Sequence, residues 1–494
     1  MPRTLIAVLI AAALSGCALV GPDYQRPQIE TPASYLYQDA SMNAEADLEW
    51  WKRFEDPVLD QLILDALENN NNVKIAAARV NQAAGVLSTT RAPLFPQIGY
   101  QGSGARQRSS EEGRPGAGLI KNPDNNFQLG LSASWELDIW GRIRRQSEAA
   151  QANLLATQEA RRGLILSLVS AVAINYIELR SLDGQLEVAE RTRKSYAEAL
   201  RLMELQFQYG RVSLMNVEQA KTRLEAAAAE IPKLRRAIVE RENAISVLLG
   251  GNPLSIPRGK TIHEFAIPAV PAGLPSELLE RRPDLLQAEQ ELIAANAQIG
   301  AARALYYPSI SLTALLGTVS TGLGGLFSGP AKAWNYAGNF TGPIFTAGLI
   351  EGQVAQAEAG QEAALLSYRQ AIQNAFADVE NALNARTELG NEVAVQTRLV
   401  EAQRNYSRLA TVLYQGDYEP YSTVLQAEEQ LFPAELRLVA VRAEQLASLV
   451  NIYKAMGGGW VDTATSLADQ NTAAAADADA SAAPSESEGE PAAP

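Results

Sequence analysis

The chain has 494 residues but only one cysteine, one histidine and five methionines. A single cysteine, Cys17, excludes an internal disulfide. The histidine, His263, stands in Thr-His-Glu-Phe without an HExxH partner, so it reads as a surface or packing residue. The methionines are scattered and form no soft-ligand cluster for a metal. Gly-Leu-Gly-Gly-Leu-Phe, 322 to 327, misses the G-x-G-x-x-G spacing at Phe327, and no strand-to-helix phosphate turn surrounds it. Together these shortages leave no support for catalysis, for a metal or for a cofactor. Basic residues are outnumbered, 42 Lys+Arg against 56 Asp+Glu, and a net charge of −14 argues against nucleic acid as the main partner. No later run reaches 18 uninterrupted apolar residues, so a transmembrane helix is not expected, and a chain that crosses a membrane must do so as a barrel. Proline is missing from two stretches of about 68 residues, 141 to 208 and 347 to 414.

What is present begins with a processing segment. Arg3 supplies a positive n-region, and TLIAVLIAAAL (4 to 14) an apolar core too short to span a bilayer. Leu14-Ser15-Gly16-Cys17 follows and resembles the bacterial lipobox, which implies a signal peptide over 1–16, a lipidated Cys17 and, with Ala18 next, sorting to the outer membrane. At the other end, about 470 to 494 is Ala/Ser/Pro-rich and carries Asp477, Asp479, Glu486, Glu488 and Glu490, the composition of a disordered, solvated tail.

Four segments alternate with period two. In FQLGLSASWELDIW (127 to 140), Phe127, Leu129, Leu131, Ala133, Trp135 and Leu137 alternate with polar or small residues, so one pleat face is apolar. Segments starting at Gln97, at Ser309 and over 334 to 345 behave alike. They read as two strand hairpins joined by long loops, 108 to 126 and 320 to 332, with Trp135, Trp140, Trp334, Tyr336 and Phe345 available for an interfacial aromatic girdle. Small hairpins capping a soluble helical protein are the alternative, but each strand has roughly the 9 to 11 residues of a tilted membrane strand. Four strands do not close a barrel, which takes about eight, so several chains are required, and three copies would give twelve strands around a water-filled lumen.

The remainder repeats itself. Arg91-Ala92-Pro93-Leu94-Phe95-Pro96-Gln97-Ile98 returns as Arg303-Ala304-Leu305-Tyr306-Tyr307-Pro308-Ser309-Ile310, each leading from helix into strand. The two proline-free stretches carry heptads that superpose at an offset of 207, with Ile165, Val172, Leu179, Leu186, Leu200 and Phe207 in the first and Leu365, Ile372, Val379, Val393 and Val400 in the second. A helix of about 68 residues is roughly 100 Å long. QYGRVSLMN (208 to 216) and YQGDYEPYS (414 to 422) place glycine past the last heptad residue as a helix stop, and returning helices are expected over 217–250 and 423–456.

The expected organisation is therefore a lipidated N-terminus with an equatorial helical segment (17–90), repeat one (91–250: strand hairpin 97–138, helical hairpin 141–250) and a linker with equatorial segment (251–302). Repeat two (303–456: strand hairpin 309–345, helical hairpin 347–456) and a C-terminal equatorial segment with the acidic tail (457–494) complete it. The fold class is mainly α with a membrane β-barrel: four strands and long coiled-coil hairpins from each chain.

Four ordered motifs, Cys17 with GPDYQRP (21 to 27), WWKRFEDPVLDQLI (50 to 63), LPSELLERRPDLLQAEQEL (274 to 292) and YKAMGGGW (453 to 460), resemble those of TolC-like outer-membrane factors, in the lipoprotein branch serving resistance-nodulation-division efflux pumps. The resemblance implies a homotrimer with a 12-stranded barrel in outer-membrane lipid and a helical barrel in the periplasm. It also implies a periplasmic adaptor (membrane fusion) protein and an inner-membrane pump as partners, with no cofactor beyond lipid on Cys17. From their place in the turns, Gly210, Arg211, Ser213 and Gly416 are expected to meet the adaptor. The second hairpin lines the closed aperture in that family, so the resemblance assigns the gate to Asp417, Glu419 and Leu413, against a simple solvated acidic turn at the rim. Three functions are weighed: an exit duct for small amphiphiles, an exit duct for type I protein secretion, and a structural lipoprotein with no channel.

Overall fold

The computed structural model describes residues 19–29, 32, 34–37, 49–108, 110, 123–267 and 278–457. The signal peptide, Cys17, the acidic tail and much of the first strand loop lie outside these. Among the described residues the elements are α1 (Pro57–Asn69), α2 (Asn71–Arg91), β1 (Gln97–Gln107), β2 (Asp124–Leu137), α3 (Arg142–Gln208), α4 (Leu214–Leu248), α5 (Pro283–Arg303), β3 (Ser309–Ser320), β4 (Lys332–Thr341), α6 (Leu349–Gln415) and α7 (Tyr421–Ala455).

The strands form one antiparallel sheet in the order β1-β2-β3-β4, so the two hairpins join through β2 and β3. Pairings such as Ala133↔Ala314 and Ala314↔Tyr336 carry the apolar alternation across all four strands in phase. β4 is shorter than the alternation over 334 to 345 implied. Gly342-Pro343 ends it, because proline has no N–H for the ladder, and Ile344 and Phe345 lie beyond the strand and exposed. Phe345 is thus not a strand member of the aromatic girdle.

α3 and α6 each have 67 residues and end at Gln208 and Gln415, an offset of 207 (415 minus 208). α4 and α7, 35 residues each, keep that offset and start at Leu214 and Tyr421, a little before the expected 217 and 423. Each holds a proline in its interior, Pro232 and Pro433, at positions that do not correspond between the repeats. Heptad positions Ile165, Val172, Leu179, Met203, Ile372, Val379 and Val400 are buried. Phe207 departs from the pattern: it is exposed, one residue from the end of α3, where the seam runs out. α3 contains one stretch long and apolar enough to cross a membrane by composition, but more than half of that stretch is buried within the chain, as a core seam requires.

Contacts divide the chain into two compact units, and both repeats contribute to each. One draws on residues up to Ile29, Arg79–Gln158 and Gln287–Gln370, and the other on Glu30–Ala78, Glu159–Leu286 and the chain from Ala371 onward. In the second unit Trp50, fully buried, stacks on Tyr453 at 5.1 Å between ring centroids. Arg282 donates to both carboxylate oxygens of Asp284 (3.0 and 2.8 Å), to Asp378 Oδ2 (3.0 Å) and to the Ala455 carbonyl at the end of α7 (3.0 Å). Asp56, also fully buried, caps α1 by accepting from the N–H groups of Val58 (2.8 Å) and Leu59 (3.3 Å). It also accepts from Tyr176 Oη (3.2 Å) and the Lys260 N–H (2.9 Å), so four donors converge on one carboxylate.

Asp56→Ala removes a helix cap, worth about 1 kcal/mol, and leaves two buried donors short of a partner at about 1–3 kcal/mol each. The purified protein should therefore lose about 3–7 kcal/mol in urea unfolding followed by circular dichroism, with Asp56→Asn losing less. A loss below about 1 kcal/mol would mean water replaces these partners.

Candidate functional site: a two-faced sheet and paired helical tips

Among the described residues two sets of surface groups stand out. The first is the sheet. Residues directly paired across an antiparallel ladder point to the same face, so the register gathers Ile98, Tyr100, Leu129, Leu131, Leu316, Trp334 and Phe340 on one side. The opposite side collects Gln97, Gln101, Ser132, Ser134, Glu136, Ser311 and Asn339. Leu131, Leu316, Trp334, Tyr336 and Phe340 are more than half exposed, a contiguous apolar surface that water does not favour. Trp334 stacks on Tyr336 at 5.6 Å. Trp135 Nε1 donates to the Leu94 carbonyl (3.0 Å), and Trp140 Nε1 to the Pro308 carbonyl (2.7 Å) while its ring stacks on Tyr307. Both indoles are thus fixed at the ends of the strands nearest α2 and α3. β1 and β4 each have a single strand neighbour, so two sheet edges carry unpaired backbone groups.

The second set is the pair of turns. Turn one closes α3 with a Schellman motif: Arg211 N–H donates to the Gln206 carbonyl and Gly210 N–H to the Phe207 carbonyl, both at 2.9 Å. Gly210 holds φ +71. Turn two repeats this 207 residues on, with Tyr418 N–H on the Leu413 carbonyl (2.9 Å) and Asp417 N–H on Tyr414 (3.1 Å). Here the left-handed residue is Asp417, φ 58, and not Gly416. The expectation that Gly416 is the helix stop is therefore corrected: it matches Tyr209, one position earlier, and its missing side chain makes room for the Tyr418 ring, 2.9 Å from where a Cβ would stand. Asp tolerates the left-handed region better than most residues because its short side chain bonds locally.

The other sequence-selected residues fall beside these. Ser213 is the N-cap of α4 and its Oγ donates to Asn216 Oδ1 (2.6 Å); Arg211 is exposed. Glu419 Oε2 accepts from Thr423 Oγ1 (3.0 Å), and Leu413 is exposed on the last turn of α6. Tyr414 Oη donates to Gln206 Oε1 (3.1 Å) across the two hairpins, so Leu413, Gly416, Asp417 and Glu419 share one tip and Gly210, Arg211 and Ser213 its neighbour.

Sequence reasoning missed the groups that hold the tips together. Met203, Val217, Val424, Leu425 and Tyr421 make a small core at this end, with Tyr414 packed on it. The adjacent carboxylates Glu428 and Glu429 read in sequence as a solvated helix face, but Glu428 is largely buried, while Glu429 is exposed. Burial raises the Glu428 carboxyl above the ordinary range, partly offset by Arg223, whose Nη1 lies 3.4 Å from Glu428 Oε2 and which also donates to the Leu425 carbonyl. The available signal was Arg223 beside Ala220 and Leu224, positions already on the α4 seam. His263 is exposed, and its carbonyl accepts from Arg442 Nη2 (3.4 Å). Cys17 lies outside the described residues.

The family model described as outer membrane efflux protein matches residues 62–251 and 274–458. The solvent efflux pump outer membrane protein SrpC of Pseudomonas putida is 38% identical over 456 residues, 90% of this chain and 96% of that one. The cation efflux system protein CusC of Escherichia coli K12 is 35% identical over 467 residues, 93% of this chain and 100% of that protein. Among solved structures, the outer membrane channel CmeC of Campylobacter jejuni superposes with a TM-score of 0.86 at 25% identity, over 92% of this chain and 99% of that one.

Two predictions follow from the tips. Gly210→Ala should destabilise turn one by about 1–2 kcal/mol and Asp417→Gly should stabilise turn two by a smaller amount, because Asp already tolerates the conformation, read as opposite changes in amide exchange over 206–213 and 413–420; changes of the same sign would contradict the assignment. Burial pushes Tyr196 and Tyr421 up to about 12, whereas an unfolded phenol ionises near 10. The folded pKa is the higher, so their stabilising contribution is complete below pH 10 and is lost as pH rises from 10 toward 12. Helix melting should show that slope, and Tyr196→Phe with Tyr421→Phe should flatten it.

Proposed function

We propose a passive exit duct in a tripartite efflux pump as the role of this chain, which belongs to the outer membrane efflux protein family. It is an outer-membrane transport protein rather than an enzyme. One observation carries the duct: a four-stranded sheet, apolar on one face and polar on the other, with both edges open and each hairpin continued by a 67-residue helix. In hydrocarbon every backbone polar group needs a partner, and four strands fall short of the roughly eight a barrel requires. Three copies supply twelve strands, leaving a lumen lined by the polar face and a lipid surface made of the apolar one. The same threefold axis gathers the α3 to α7 rods into a periplasmic tube.

On this reading residues 1–16 are a signal peptide removed before Cys17 is lipidated. The tips bearing Gly210, Arg211, Ser213 and Gly416 meet a periplasmic adaptor recruited with an inner-membrane resistance-nodulation-division pump. Three copies of Asp417 and Glu419 place six carboxylates around the aperture, with Leu413 as its apolar constriction. The cargo is drugs or other small amphiphiles, with multidrug resistance as the consequence. The solvent pump named for SrpC supports that cargo class, and the cation system named for CusC marks how far cargo varies among relatives of similar identity. The conduction step uses no cofactor beyond the lipid of Cys17.

The gate is tested in planar bilayers. Asp417→Asn with Glu419→Gln keeps a residue at 417 that tolerates the left-handed backbone, so it removes charge without straining the turn. The double variant should lose cation selectivity and divalent block. Unchanged values would remove both acids from the gate, and absence of any conductance in the wild type would remove the duct.

A further inference from the structure

The apolar face of the sheet is not smooth. Where β2, β3 and β4 run side by side near their α-helical ends, Ala133, Ala314 and Gly338 leave a depression of about 350 Å³, walled by Trp135 and Tyr336 and closed below by Pro96. No charged side chain lines it, and small residues (Ala133, Ala314, Gly338) make up its floor beside the Leu312 side chain. The Trp135 wall is fixed by its bond to the Leu94 carbonyl.

At the same end of the sheet a strap of chain is tied to the loop that follows β2. Val20 N–H donates to the Trp140 carbonyl (3.2 Å), and the Leu19 side chain lies over Gly141. Arg145, almost fully buried, donates to the carbonyls of Val20 and Gly21 (both 3.3 Å) and to Asp23 Oδ1 (2.7 Å). Asn296 Nδ2 holds the Pro22 carbonyl (3.0 Å), while Tyr24 (3.1 Å) and Arg26 (2.9 Å) both bond Glu289. Residues 19–26 are therefore tied down at nearly every position. Cys17 lies two residues before Leu19, so its Cα is within about 7 Å of that of Leu19. Trp140 bonds Pro308, and Leu312 beside the depression is four residues up β3, about 13 Å away. An acyl chain covers half of a bilayer core of about 30 Å.

The geometry points to the depression as the seat of an acyl chain carried by Cys17 of the same molecule. This rests on the reading that Cys17 is lipidated. A chain whose first atoms are already held at the strand ends gives up less freedom on seating than a free lipid does, and the pocket removes its methylenes from contact with mobile neighbours. The strap and the pocket then act together, fixing where the anchor enters the membrane relative to the barrel.

The test feeds cells a diazirine-bearing palmitate, irradiates them, and maps crosslinked peptides of the purified native protein. The expected product joins the acylated Cys17 peptide to peptides holding Ala314 or Gly338. Ala314→Leu with Gly338→Leu fills the depression on a lipid-facing surface and should cut that product on the order of tenfold, the loss of about two buried methylenes, with Cys17 still labelled. Gly102→Leu, on the same face but outside the depression, should leave it unchanged. Crosslinks from Cys17 spread evenly along the apolar face, or adducts at Ala314 and Gly338 from phospholipid only, would overturn the proposal while leaving the anchor intact. Absence of label on Cys17, with Cys17→Ala as the blank, would overturn the anchor reading itself and remove the occupant.

Discussion

The constraint behind the rest is that a strand in hydrocarbon must pair on both edges, and this chain makes a sheet with two edges unsatisfied. Everything distinctive in the sequence answers that incompleteness. The apolar face carries exposed Leu131, Leu316, Trp334 and Phe340, which would invite aggregation in water. It is tolerable only where lipid covers it and neighbouring copies continue the ladder. The helices that follow inherit the same symmetry requirement, since each strand hairpin passes directly into a long rod that needs neighbours on both sides.

Duplication explains how one chain meets this requirement twice with different local solutions. The short helices α2 and α5 both have 21 residues and lie 212 apart (283 minus 71), whereas the long helices lie 207 apart. The difference falls within the strand hairpins, where repeat one has the longer loop. Preceding those short helices, Asn70 and Arg282 occupy matching positions. Asn70 Nδ2 bonds the Leu248 carbonyl at the end of α4 (2.7 Å), and Arg282 the Ala455 carbonyl at the end of α7. The carbonyls that a helix end leaves orphaned are thus answered in both repeats, once by an amide and once by a guanidinium that also gathers Asp284 and Asp378.

Much of this was legible because it is periodic. Period-two alternation located four strands, and the heptads located both long helices to within a residue or two, since burial on one face leaves a regular trace whatever the partner. The aperiodic parts were not legible. Glu428 looked solvated because its neighbours are polar in sequence, and only the approach of α4 brings Arg223 against it. Gly416 looked like the helix stop because glycine is the usual left-handed residue, but the register of the helix end, set by where Leu413 and Tyr414 sit, passes that conformation to Asp417. The strand ending at Thr341 was overextended because Ile344 and Phe345 keep the alternation after Gly342-Pro343 has ended the hydrogen bonding. The four motifs that carried the resemblance prove to be packing devices in their described parts. Tyr24 and Arg26 tie to Glu289, Trp50 stacks on Tyr453, and Arg282 caps α7.

The tips show why packing and function separate in this molecule. Turn one places a glycine in the left-handed position, the least strained choice, whereas turn two places a carboxylate there, at a backbone cost below the roughly 1–2 kcal/mol that most L-residues incur. Asp is among the residues that tolerate this conformation, yet glycine at 417 would serve the Schellman motif with less strain, so stability alone does not select a carboxylate at this exposed turn. Asp417 is not buried and caps nothing that glycine leaves uncapped, since the two motif bonds come from backbone N–H groups. What a carboxylate adds at this position is charge on a short stem at an exposed tip, which is what the proposed aperture would use. The asymmetry between Gly210 and Asp417, two positions the duplication made equivalent, is therefore the observation on which the proposal of a gate at the second hairpin rests.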